Sequence, residues 1–179
     1  MAEPSIRPYR RSDLEDVRSV CFETGYMGEP IAWQFDDREV FCQLFCDPHL
    51  LGHPDSAWVV DLDGRAVGYL IGSPDTRGTH DASTHRPFDV DAYPADLHIN
   101  LLPPARGRGL GEALMATWFA RLAELGVPGV HLGTWGENSG AIAFFESLGF
   151  REVGSRSPNL FTLRDGTQAT VAQFVRPIS

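Results

Sequence analysis

The chain contains no lysine: all 15 basic residues among its 179 are arginines, set against 24 acidic residues. A Walker phosphate loop is excluded because its Lys is missing, and Schiff-base chemistry because no ε-amine is available. A formal charge of −9 also lacks the electrostatic footprint of a general nucleic-acid binder, so no nucleic-acid partner is expected. A GC-rich coding sequence suffices to explain the arginine-only usage.

Cysteine is scarce as well. Cys21, Cys42 and Cys46 are odd in number, which argues against a disulfide framework. No apolar run approaches the roughly 20 residues that span a bilayer, and Met1 to Arg11 has no signal-peptide apolar core. The expectation is a cytoplasmic protein without a membrane partner. Gly-x-Ser-x-Gly does not occur, so there is no nucleophile elbow. The grouping of Cys42, Cys46, His49 and His53 matches no common zinc spacing, and helical cysteines usually serve as small core residues; no metal is expected.

The length suits one domain over 1–179, and 42% apolar with 22% charged residues reads as soluble and globular. Internal repeats and low-complexity tracts are absent. Strands are predicted over Ser5–Tyr9, Ala57–Leu62, Arg65–Ile71, Leu97–Leu102, Val130–Thr134 and Thr170–Val175. Asp63-Gly64 and Asp165-Gly166 mark hairpin turns. Ser12-Asp-Leu-Glu15 reads as a capping box for a first helix, and a second helix covers Arg38–Cys46. Leu110, Leu114, Met115, Trp118, Phe119 and Leu122 recur every 3.6 residues, which predicts a helix over Gly109–Leu125. Asn138 caps another helix that reaches Leu148 and stops at Gly149. The class is α/β (α+β), with antiparallel hairpins at both ends.

Chemistry concentrates where a strand enters Pro103-Pro-Ala-Arg-Gly-Arg-Gly-Leu-Gly111 and a long helix follows. Glycines let phosphate oxygens approach the backbone, and the first helical turn has unpaired N–H groups at a positive dipole end. A dinucleotide fingerprint would need glycine at position 112, which is Glu112. Arg106-Gly-Arg-Gly-Leu-Gly111 instead fits the Arg/Gln-x-x-Gly-x-Gly/Ala pattern that holds the pyrophosphate of coenzyme A. Together with Asn138-Ser-Gly-Ala-Ile-Ala-Phe-Phe-Glu-Ser-Leu-Gly-Phe150, it resembles the GNAT N-acetyltransferase superfamily. Three segments, Asp47–Gly52, the stretch from Tyr93 to Pro103 and Val127–Gly133, look like the acetyltransferase-like domain of O-GlcNAcases and its free-standing bacterial relatives. The catalytic competence of some members of that subgroup is open, so a non-catalytic module binding acyl-CoA or a partner stands as the alternative.

The resemblance implies a mostly antiparallel mixed sheet splayed between its fourth and fifth strands, with about four flanking helices. It implies acetyl-CoA as co-substrate and an acceptor amine from a small molecule or peptide; dimers are frequent in the fold, so a homodimer is possible. Backbone at Ile99, Leu101 and Leu102 would meet the pantetheine arm, with the Leu101 N–H facing the thioester oxygen. Amides of Gly107, Arg108, Gly109, Leu110 and Gly111 would hold the pyrophosphate, aided by the Arg106 and Arg108 guanidinium groups. Asn138 and Phe145 would flank the reactive end. Phe145 stands where many relatives place a proton-donating Tyr, and Asn100 where similar sequences carry Asp.

Asp96 is the first choice for general base and His98 the second, since strand alternation puts Asp96, His98 and Asn100 on one face. Tyr26, Trp33, Tyr93 and Trp135 are nominated as aromatic acceptor walls. Asp75, Asp81, Asp89 and Asp91 would give the long loop Ser73–Ala95 an acidic rim suited to a cationic acceptor.

Overall fold

A computed structural model describes residues 3–77 and 86–178; Asp81 lies outside them. The described residues form seven strands and five α-helices, of mixed α/β class as expected. The strands are β1 (Ser5–Pro8), β2 (Ala57–Leu62), β3 (Arg65–Ser73), β4 (Asp96–Leu101), β5 (Gly129–Trp135), β6 (Arg151–Arg156) and β7 (Val171–Pro177). The helices are α1 (Leu14–Glu23), α2 (Arg38–Phe45), α3 (Asp47–Gly52), α4 (Leu110–Glu124) and α5 (Ser139–Ser147). Among the described residues no helix is long and apolar enough to cross a membrane.

Two compact units are distinguished: Met1–Ser73 with Leu97–Arg121, and Pro74–Asp96 with Leu122–Ser179. The first carries a sheet of order β1-β2-β3-β4. Asp63 and Gly64 both take positive φ, 53° and 81°, which is the type I′ geometry that matches strand twist and closes the β2–β3 hairpin. Tyr69 and Val59 face each other across that hairpin, as do Leu70 and Trp58. Alternation therefore sends Tyr69 and Val59 to one face and Trp58 and Leu70 to the other. On the Trp58 side Trp118 of α4 lies 6.1 Å away, ring to ring. On the Tyr69 side the hydroxyl meets the Cys21 thiol of α1. Both layers are dry: Val17, Val20, Cys21, Leu114, Met115 and Trp118 are each at most 1% exposed.

Three elements differ from the sequence reading. The capping box at Ser12 is not formed, because Asp13, not Ser12, does the capping: its carboxylate accepts the Arg10 N–H at 2.8 Å. It also takes a two-pronged bond from Arg7 at 2.7 and 3.0 Å, while Ser12 sits inside a single 3₁₀ turn over Arg11–Asp13. The fifth helix, α3, was not anticipated. Pro48 opens it, and proline is pre-organised for a first helical turn.

The third difference lies in the second unit, whose sheet has the order β5-β7-β6. The turn at Asp165–Gly166 exists, with the Leu163 N–H donating to the Thr167 carbonyl at 2.7 Å. It closes only a bridge between Thr162 and Gln168, and β7 pairs with β5 on one side and β6 on the other, not with the segment beside the turn. Within this unit Ala95 pairs with Val130 in an isolated parallel bridge. The Asn138 cap holds as expected: its side chain accepts the Ala141 N–H at 3.1 Å, and Gly149 follows α5 with φ 83°.

Candidate coenzyme site

The site grows from the end of β4. Leu102 donates its N–H to the Val67 carbonyl at 2.9 Å. Strand alternation then turns the N–H groups of Leu101 and Ile99 toward the edge away from β3. The Leu102 amide is thus committed to β3, whereas the Ile99 and Leu101 amides face the opposite edge of the strand. Gly68 makes the close strand approach possible, since a methyl there would strike the Leu101 side chain and crowd the Asn100 carbonyl.

A 3₁₀ turn at Pro103–Ala105 stops the strand. Gly107 and Gly109 adopt φ of 67° and 71°, and α4 starts at Leu110, with its first bond running from Ala113 N–H to the Gly109 carbonyl at 3.1 Å. The first-turn amides of Leu110, Gly111 and Glu112 have no intrahelical acceptor. Gly107 and Gly109 are exposed, and a methyl built on Gly107 would meet no atom within 4 Å. The turn therefore offers open space beside a run of donors at a positive helix end, which suits a phosphate.

The two arginines of the motif are held by backbone carbonyls. Arg106 donates from Nε to the Leu101 carbonyl at 2.7 Å and from a terminal nitrogen to the Gly28 carbonyl at 2.7 Å. Arg108 donates from Nε to the Pro104 carbonyl at 3.1 Å. Both guanidinium groups thus brace loop backbone; the side-chain contacts shown go to carbonyl oxygens.

His98 and Asn100 share one face, as alternation predicts, and converge on one hydroxyl. The Tyr69 hydroxyl lies 3.0 Å from His98 Nδ1 and accepts from Asn100 Nδ2 at 2.9 Å. Burial pushes the His98 imidazole down to about 3, with His49 adding a smaller push the same way, so this ring is neutral at physiological pH. Burial also drives the Tyr69 phenol well above its ordinary value. Asp96 opens the same strand and is half-buried.

Of the nominated acceptor walls, Tyr26 and Trp33 come together edge to face with ring centroids 5.1 Å apart. Tyr26 is buried at 8% exposure and Trp33 stands out at 42%. In the second unit, Tyr93 lies beside Phe88 and Arg151, whose guanidinium is 6.0 Å from its ring, and its carbonyl takes a bond from His131 Nδ1 at 2.8 Å. Trp135 packs on Phe161 at 4.7 Å. Phe145 is buried beside Phe150. The acidic rim is partly neutralised: Asp75 binds Arg77 at 2.6 Å, with Asp91 at 3.6 Å from the same guanidinium. Asp89 is spent on the Asp91 N–H at 2.9 Å.

Cys42 and Cys46 direct their thiols to the Arg18 carbonyl and the Asp47 carboxylate at 3.5 and 3.6 Å, and His49 Nδ1 lies 2.9 Å from Ser73 Oγ. Among the described residues no group of three or more His, Cys, Asp or Glu is arranged to hold a metal.

This geometry has relatives. The model of the acetyltransferase (GNAT) family matches residues 12–150. The chain belongs to the GNAT acetyltransferase family. Over 107 residues it is 32% identical to a mycothiol acetyltransferase of Acidothermus cellulolyticus. That alignment takes in 57% of this chain and 32% of the relative, so the chain spans about a third of the relative's length. The crystal structure of SsHAT superposes with TM-score 0.79 at 31% identity, covering 99% of this chain and 100% of that one. A phosphinothricin acetyltransferase from Sinorhizobium meliloti, solved with acetyl-CoA, shares the fold at TM-score 0.69 and 20% identity, covering 99% and 90% of the two chains.

Within this GNAT chain, two residues of the site carried no recognisable sign in the sequence. Tyr69 looks like any apolar strand residue until the fold places its hydroxyl between His98 and Asn100. Gly28 stands in a Met27-Gly28 turn whose φ angles are 52° and 89°, and its carbonyl serves Arg106 across 78 positions of sequence. A Gly after a bulky residue was the available signal for the turn; its partner was not readable.

Proposed function

We propose that the chain transfers an acetyl group from acetyl-CoA to an amine of a small molecule or peptide by direct attack on the thioester. The observation that carries this reading is the open glycine turn at Gly107 and Gly109 feeding the first amides of α4, directly after a strand edge with outward N–H groups. Amides of Gly107 to Gly111 hold the pyrophosphate, and the outward backbone at Ile99 and Leu101 meets the pantetheine. The amine nitrogen bonds to the carbonyl carbon, the oxygen becomes an oxyanion facing the Leu101 N–H, and collapse breaks the C–S bond. One such donor is worth about 3–4 kcal/mol of transition-state stabilisation.

The acceptor ammonium, with pKa about 10, must first lose a proton. Asp96 takes it, through a water where the distance requires one. His98 is the weaker candidate on physical grounds, because burial disfavours its charged form and its two neighbours already occupy it. Phe145 cannot protonate the leaving thiolate; a thiol pKa of about 8.5 makes that departure acceptable unaided. The likeness to the O-GlcNAcase acetyltransferase-like domains is part of this reading, as are a cytoplasmic location and a homodimer. Phe145 and Asn100 together favour the second reading, a non-catalytic acyl-CoA-binding module.

Thermal unfolding with acetyl-CoA, CoA and longer acyl-CoAs tests the coenzyme site. At 100 times its dissociation constant a ligand stabilises by about 2.7 kcal/mol, and no shift with any of them refutes the assignment. Thiol release across an amine panel then separates enzyme from module. Asp96→Asn with an unchanged rate and pH profile would remove Asp96 as base.

A further inference from the structure

Arg106 is the point where three pieces of backbone meet. Its Nε holds the carbonyl of Leu101, the residue whose own N–H lies on the same strand edge, and a terminal nitrogen holds the carbonyl of Gly28, each at 2.7 Å. It immediately precedes Gly107, the first residue of the open glycine turn. Gly28 belongs to a tight turn in which the Tyr26 and Glu29 backbones exchange two hydrogen bonds of 2.9 Å. The guanidinium lies flat enough against that turn that a methyl on Gly28 would sit 3.2 Å from its terminal nitrogen. Tyr26, at the head of the turn, carries the exposed Trp33 ring edge to face.

Both acceptors of Arg106 are neutral carbonyls, so these bonds leave its positive charge uncancelled. An anion on the neighbouring amides attracts that charge and favours one placement of the guanidinium. In the placement observed, a terminal nitrogen holds the Gly28 carbonyl of the Met27–Gly28 turn. We propose that Arg106 is a positioning residue that couples the coenzyme loop to the Tyr26–Trp33 wall, so that a phosphate-bearing ligand at Gly107–Gly111 sets the geometry of the acceptor side. The coupling is reciprocal by thermodynamic necessity: an acceptor that orders Tyr26 and Trp33 must tighten coenzyme binding by the same factor. The proposal rests on the coenzyme reading above, and the experiment separates the two.

The test uses the full chain labelled with 5-fluorotryptophan, with the Trp33 resonance identified by its loss in W33F, and CoA as the probe. Thermal unfolding in parallel samples reports binding itself. In the unsubstituted chain, saturating CoA raises the unfolding temperature and moves the Trp33 resonance. In R106A the thermal shift persists through the amides while the Trp33 response is lost, and R106K restores part of it by supplying one donor. Should R106A fail to fold, R106Q serves, since its single amide cannot bond both carbonyls. An undiminished Trp33 response in R106A or R106Q overturns the proposal, as does an unmoved resonance in the unsubstituted chain despite thermal stabilisation. Loss of all CoA binding in the variants also overturns it, because Arg106 would then be a direct phosphate ligand. Absence of any thermal shift in the unsubstituted chain refutes the coenzyme reading and the coupling with it.

Discussion

Replacing Gly107 with Ala separates what the glycine turn does for folding from what it does for binding. Gly107 has φ 67°, and an L side chain in that region costs about 1–2 kcal/mol. No atom lies within 4 Å of the added methyl, so no packing penalty is added. Gly64 is a matched control: φ 81°, likewise nothing within 4 Å, on the β2–β3 turn. Each variant should therefore lose about 1–2 kcal/mol in urea unfolding, a drop of about 2–4 °C per kcal/mol for a chain of this size. CoA affinity should divide them. G64A should bind like the unsubstituted chain, while G107A puts a methyl where phosphate oxygens approach the amides and should bind at least about tenfold more weakly, or 1.4 kcal/mol. Calorimetric titration reads both. Equal affinities in G64A and G107A, with equal stability losses, would show that the turn does not hold the coenzyme.

The Arg7 guanidinium holds the Asp13 carboxyl below its ordinary value. Its stabilisation is therefore full above about pH 3.9 and lost as pH falls further. Asp13→Asn should destabilise at pH 7 by about 1–3 kcal/mol in urea, with the gap to the unsubstituted chain closing below that pH; a constant gap would contradict the assignment. His98, pushed down to about 3 by burial, should show no imidazole titration by NMR between pH 8 and 5. An imidazole held neutral in the fold makes stability fall as pH drops below about 6.5, the unfolded value; a midpoint near 6 would refute this. Cys21, Cys42 and Cys46 are all 0% exposed, so Ellman's reagent should find no fast thiol in the native protein and three after denaturation. Gly68→Ala must push Leu101 and the Asn100 carbonyl aside, and overpacking of this kind costs about 1–3 kcal/mol. Its circular dichroism melt should reveal the loss; an unchanged melt would show that β3 and β4 tolerate separation.

Local chemistry was legible wherever neighbours in sequence decide it. Asp63-Gly64 specifies its own turn because only certain residues accept positive φ, and the Asn138 side chain reaches the amide three residues on without help from the rest of the chain. The apolar stripe of α4 and the glycine turn before it were readable for the same reason: period and backbone freedom are written residue by residue. Where a polar group could choose among distant partners, the reading failed. Ser12 looked like the cap, but Asp13 has Arg7 from β1 and the Arg10 amide to satisfy, and a carboxylate with three donors outcompetes a hydroxyl. Asp165-Gly166 turned the chain but could not say that β6, not the segment beside the turn, would pair with β7.

The absence of lysine and the spacing of Arg106, Gly107, Gly109 and Gly111 were sufficient to exclude Lys-dependent phosphate chemistry and to mark an anion turn, since both are properties of residue type and backbone. What Arg106 does with its guanidinium was decided by folding alone. Its partner Gly28 lies 78 residues away, and a carbonyl is present on every residue, so no composition or spacing can nominate one. Tyr69, His98 and Asn100 meet for the same reason: strand pairing brings β3 against β4, and only that register turns a phenol, an imidazole and an amide into one hydrogen-bonded group.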